Sequence, residues 1–127
     1  MSKYKVTMTE YLKGRDQIAP LTYEMYDNMC KLLVAVNMLR DRYGKPLSIS
    51  SGYRPPEINK KMGGSPNSAH LTCEAVDIAD GTKALKRWIA ENPGILDELD
   101  LYMEEPASTP TWVHLDIRKR PTRIFKP

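Results

Sequence analysis

One stretch of this chain constrains its fold more than any other. Between Thr22 and the breakers Gly44 and Pro46, the residues Met25, Met29, Leu32, Leu33, Val36 and Leu39 recur at spacings of mostly three and four. That is the period of an apolar stripe along one side of an α-helix. Thr22 offers a hydroxyl to cap the first turn, and Glu24 places a negative charge where the helix dipole favours it. Gly44 closes the helix as a C′ glycine and Pro46 prevents its continuation.

The other apolar segments are short. Leu47-Ser48-Ile49-Ser50-Ser51 alternates in the manner of a half-buried strand, and Ala75-Val76-Asp77-Ile78 reads as a short buried one. The connection between them, residues 52–66, holds a short helix opening at Pro55-Pro56 and runs into the loop Gly63-Gly64-Ser65-Pro66-Asn67. Asp80-Gly81-Thr82 offers an N-cap for a helix carrying Leu85, Trp88 and Ile89, which Asn92-Pro93-Gly94 breaks. Leu101-Tyr102-Met103 and Trp112-Val113-His114-Leu115-Asp116-Ile117 read as a strand pair across a proline-containing turn. Before Pro20 the chain is polar, with a short helical turn at Tyr11-Leu12. The expectation is an α+β fold, with a small, mostly antiparallel sheet and flanking helices. From Arg118 onward the chain is basic and proline-studded, and Arg118, Lys119, Arg120, Arg123 and Lys126 read as a solvated tail.

At 127 residues the chain is one domain with a single core. Its 41% hydrophobic and 28% charged residues exclude wholesale disorder. No apolar run approaches the roughly 20 residues that span a bilayer. A net charge of +3 is too mild to argue for nucleic acid, a reading that rests on the tail alone. Cys30 and Cys73, without CxxC spacing, fit a reduced chain, and the polar N-terminus lacks the apolar stretch of a signal peptide. Synthesis in the cytoplasm as a monomer is the expectation.

Three polar residues stand out: His70, at the end of a loop, and Asp77 and His114, each set in an apolar strand. An ionised carboxylate between Val76 and Ile78 is costly unless it is paired or on a metal. Two imidazoles and one carboxylate, with a fourth position left for water, form a catalytic rather than a structural zinc pattern. Taken singly, a strand histidine is more often a satisfied core or surface residue.

Around these residues a longer pattern emerges. Ser68-Ala69-His70-Leu71-Thr72-Cys73-Glu74-Ala75-Val76-Asp77, followed by Trp112-Val113-His114, resembles the S-x-H-x-x-G-x-A-x-D and W-x-H motifs of the LAS-type zinc peptidases. Upstream, Ser51-Gly52-Tyr53-Arg54 is similar to that family's S-G-Y-R stretch. The family contains D-alanyl-D-alanine carboxypeptidases, D-Ala-D-Ala dipeptidases and the L-alanyl-D-glutamate endopeptidases of phage lysins. The resemblance implies the small α+β fold shared with the hedgehog signalling domain. It implies zinc on His70, Asp77 and His114, and Arg54 facing the substrate's carboxylate or the developing oxyanion. Ser68 would sit near the substrate or orient its loop, and Trp112, on the His114 face of its strand, would wall the site. The implied substrate is a peptidoglycan stem peptide, cut by a compact phage-derived enzyme that reaches the wall after release or as part of the particle. The rival is a non-catalytic module of the same fold that binds a wall peptide or a protein.

Two positions depart from the pattern. Cys73 stands where the family has glycine; it reads as a small residue tolerated near the site, the alternative being a thiolate that closes the metal centre. Thr111 stands where many members carry the acidic general base. The base must then come from elsewhere. If the final hairpin turns about Thr109, Glu104 lies opposite His114 and points at the metal. A one-residue slip would exchange Glu104 for Glu105. Asp116 shares the His114 face but is short for the reach. Glu104 is the choice, with Glu105 and Asp116 as alternatives.

Overall fold

The computed structural model describes residues 5–127; residues 1–4, part of the stretch read for a leader, lie outside them. The long periodic segment forms α2 (Tyr23–Tyr43), preceded by the short α1 (Met8–Leu12). Thr22 caps α2 by accepting from the Met25 N–H, and Gly44 ends it in the left-handed conformation at φ 79°. The stripe buries Met29, Leu32, Leu33, Val36 and Leu39, while Met25 is only partly buried at its start.

Five strands make one open sheet: β1 (Ile49–Ser51), β2 (Ala75–Ala79), β3 (Tyr102–Glu104), β4 (Trp112–Asp116) and β5 (Ile124–Phe125), in the order β1-β2-β4-β3-β5. Three pairings are antiparallel and the edge pairing β3–β5 is parallel. Further helices are α3 (Pro56–Lys61), α4 (Ala84–Glu91) and α5 (Ile95–Leu99). The α+β class and the mostly antiparallel sheet are those expected. None of the described helices is long and apolar enough to cross a membrane.

Alternation along the strands sorts the sheet into two faces. Val76 and Ile78 of β2 and Val113 and Leu115 of β4 join α2 in the hydrophobic core. Asp77, His114 and Asp116 therefore point to the other face. The β2–β4 register pairs Asp77 with His114, so two central strands set these groups directly side by side.

One local reading is refined and two are corrected. The α4 helix is capped from the Asp80-Gly81-Thr82 segment as expected, although Lys83, with φ 64°, stands directly before it and makes no cap bond of its own. Asp80 does the work from farther back, its carboxylate accepting from the Leu85 and Lys86 N–H groups at 2.9 and 3.0 Å. The breaker Asn92-Pro93-Gly94 is followed by α5, where no helix was expected. The segment from Arg118 is not a solvated tail. It returns along the sheet as β5, with Arg118 paired to Glu74, Arg120 to Asp116, and Arg123 to Asp97 and Asp100.

Candidate metal centre

His70 comes from the 3₁₀ turn Ala69–Thr72. Ser68 caps that turn, its hydroxyl accepting from the His70 N–H at 3.2 Å. His70 Nδ1 donates to the Gly52 carbonyl at 2.8 Å. A neutral imidazole that donates at Nδ1 carries a lone pair at Nε2. Nε2 lies 3.3 Å from Asp77 Oδ1, yet it is buried without a hydrogen-bond partner. A lone pair facing a carboxylate oxygen calls for a cation between them.

Asp77 is held from several sides. Its Oδ1 meets His114 Nδ1 at 2.9 Å, and its Oδ2 accepts from Arg54 at 3.1 Å. Burial alone would raise its pKa, but the bond to His114 and the close approach of the His70 imidazole outweigh that and hold the carboxyl well below the usual range. His114 has a carboxylate at each nitrogen, Asp77 at Nδ1 and Asp116 at Nε2, the latter also at 2.9 Å. Burial opposes the imidazolium, but the bonds to Asp116 and Asp77 outweigh it and push the pKa up to about 9.

Among the described residues, His70, Asp77 and His114 bring one ligand atom each within 4.8 Å of one another. All three have polar partners behind them: Gly52 behind His70, Arg54 behind Asp77, Asp116 behind His114. Such outer contacts fix the tautomer and aim of metal ligands. The donor set and the orphaned Nε2 fit a divalent metal of the borderline class.

The other residues singled out from the sequence fall as follows. Arg54 is engaged more fully than the pattern implied: besides Asp77, its Nε donates to the Ser51 hydroxyl at 3.0 Å, and a third nitrogen reaches Asn59 Oδ1 at 3.5 Å. The β3–β4 register, Tyr102 with Asp116 and Met103 with Leu115, continues to set Glu104 opposite His114. Glu104 is half-buried; desolvation raises its carboxyl pKa and Asp77 adds to the rise, while His114 and Arg120 oppose it. Glu105 instead turns into the 3₁₀ turn Pro106–Ser108, accepting from the Ser108 hydroxyl at 3.2 Å. Asp116 is fully buried between His114 and Arg120. Trp112 is half-buried on the His114 face of β4.

Cys73 lies in the hydrophobic core rather than among the ligands. Burial pushes its thiol up to about 12, so it stays protonated and is no thiolate donor. Its backbone sits at φ 60°, the left-handed region that glycine enters most cheaply, which accounts for the glycine of the pattern. Two neighbours of the centre were missed by the sequence reading, the Arg120 guanidinium and the Phe125 ring. They lie in the segment read as tail, where no periodicity marks a strand of two residues.

No curated protein matches the chain. The profile of the family described as Peptidase M15 matches residues 3–97, a span that includes Arg54, Ser68, His70 and Asp77 and stops short of β3 and β4. The fold completes what that span leaves open by setting His114 against Asp77. M15 peptidases are metal-dependent, and the buried His-Asp-His group is one that could bind the metal. The chain belongs to the Peptidase M15 family, the LAS-type metallopeptidases.

Proposed function

We propose that the protein is a zinc peptidase that hydrolyses amide bonds in peptidoglycan stem peptides, of the L-Ala-D-Glu endopeptidase or D-Ala-D-Ala carboxypeptidase type. The observation that carries the reading is the buried His70, Asp77 and His114 group with an unpartnered Nε2 aimed into it. When bound there, zinc supplies Lewis-acid polarisation of the scissile carbonyl and acidifies a water molecule.

The chain's own residues supply the rest. Glu104, opposite His114 and partly desolvated, takes a proton from the attacking water as the carbon–oxygen bond forms. It returns that proton to the leaving amine as the carbon–nitrogen bond breaks. Arg54 balances the charge of Asp77 and fixes its Oδ2, and the nitrogen left with only the long contact to Asn59 faces the substrate. Ser68 holds the His70 turn in place, and Trp112 walls the site. The enzyme is phage-lysin-like and acts on the wall after release from the cell or as part of a particle.

Purified peptidoglycan of several wall types, digested with the zinc-loaded protein and read by mass spectrometry, tests this. New amino-terminal ends or free D-alanine are expected, and their identity names the bond. No product from any wall type would overturn the peptidase reading in favour of a binding module.

A further inference from the structure

The C-terminal segment reaches the candidate metal centre through a chain of contacts that the M15 match, ending at residue 97, does not cover. The Arg120 guanidinium donates to Asp116 Oδ2 at 2.7 Å and approaches Oδ1 at 3.4 Å. The same Oδ2 lies 2.9 Å from His114 Nε2. Arg120 also stacks over the Phe125 ring at 3.9 Å, and that ring packs edge-on against the His114 imidazole at 5.9 Å. Arg120, Asp116, Phe125 and His114 thus close a loop of contacts. The segment is pinned beside β3 by Met103 N–H to the Arg123 carbonyl at 2.7 Å and Glu105 N–H to the Phe125 carbonyl at 2.8 Å.

Asp116 has no exposed surface. A buried carboxylate without a cationic partner is costly and finds whatever donor it can. A planar fork bonded to both oxygens fixes the carboxylate's plane, which a point charge cannot do. With its plane fixed, Asp116 can meet His114 only through Nε2–H, and that leaves Nδ1 free of its proton when a cation sits beside Asp77. We propose that Arg120 is a positioning residue of the metal centre, acting through Asp116 to hold the tautomer and aim of His114. The proposal rests on the metal reading above and makes the C-terminal strap part of the site rather than an appendage.

The test is zinc affinity of the full chain, measured by competition with a chromophoric chelator. It compares the parent with Arg120→Met, Arg120→Lys and Arg123→Met, each checked for folding by circular dichroism in the metal-free form. Arg123→Met removes two other ion pairs of the strap, those to Asp97 and Asp100. Arg120→Met is expected to bind zinc about 10–100-fold more weakly, the range for lost outer-shell partners. Arg120→Lys is expected to fall between it and the parent, and Arg123→Met to match the parent even if it melts lower. In ¹⁵N spectra of the imidazoles, the protonated Nε2 of His114 should be sharp in the zinc-loaded parent and exchange-broadened in Arg120→Met. Should Arg120→Met fail to fold, Arg120→Lys carries the comparison. Parental affinity in the folded Arg120 variants, or an equal loss in Arg123→Met, overturns the proposal while leaving the metal reading intact. A parent that binds no zinc overturns both.

Discussion

Glu104 and Glu105 are adjacent, equally acidic and equally plausible as bases from composition, and the β3–β4 register separates them. Glu104 continues the line of pairs to His114, whereas Glu105 leads into a turn and its carboxylate accepts from the Ser108 hydroxyl. Glu104→Gln is therefore expected to lower peptide hydrolysis by about 10²–10⁴-fold with zinc retained. Glu105→Gln should stay within a few-fold of the parent, and steady-state rates beside metal content would check both. A collapse of the Glu105 variant alone would show the register argument wrong. Cys73 gives a second residue-level expectation. Its thiol is pushed from 9.0 to about 12 by burial, so above the unfolded value the unfolded chain releases a proton that the folded one keeps. Stability should then fall as pH rises from about 9 towards 12, with a slope of up to about 1.4 kcal/mol per pH unit from this group. Cys73→Gly, which also relieves the positive φ, should remove that component. Urea melts of both proteins across this range would show it, and identical slopes would refute it. Asp77 and His114 were legible because apolar strands announce a misplaced polar group, and His70 joined them through the loop motif it shares with Asp77. Which His114 nitrogen faces Asp77 was not legible, because it depends on where the Asp116 carboxylate lies.

At the scale of elements, local chemistry wrote α2 plainly: period, cap and terminator all agree within one continuous segment. The weaker elements were decided by partners farther away. The α4 helix starts after a left-handed Lys83 because Asp80 bonds two amides of its first turn across the Gly81-Thr82 bend. Asp80→Ala should destabilise the protein by about 0.5–2 kcal/mol, the usual cost of a lost cap. Thr82→Ala should cost less, since its hydroxyl has only the long 3.4 Å contact to the Ala84 N–H. Chemical denaturation of the two variants would rank them, and equal losses would argue against Asp80 as the cap. β5 escaped the sequence reading because two residues carry no period, and because charge and proline masked them. Its strand character comes from the free edge of β3, not from Ile124 and Phe125 themselves.

For the whole molecule, the candidate metal centre is where four parts of the chain meet: the Gly52 to Arg54 bend, the His70 turn, the β2–β4 pair and the C-terminal strap. Zinc that binds only the folded form should therefore stabilise all of it at once. At about 100 times the dissociation constant the gain is about 2.7 kcal/mol, seen as a melting temperature several degrees higher that a chelator reverses. A melting curve indifferent to zinc and chelator would count against the centre. The sequence by itself determined the α2 helix, the alternating strands, the identity of the His-Asp-His group and the family pattern around it. Those depend on residue types at short range, where side-chain period and local geometry leave few choices. Only the tertiary structure decided that Asp77 pairs with His114, that Glu104 rather than Glu105 faces them, that Cys73 belongs to the core, and that the basic C-terminal segment closes on the centre. Each of these is a pairing between segments far apart in the chain, and register and edge pairing are settled by which long-range contacts bury the most apolar surface while leaving every buried charge a partner.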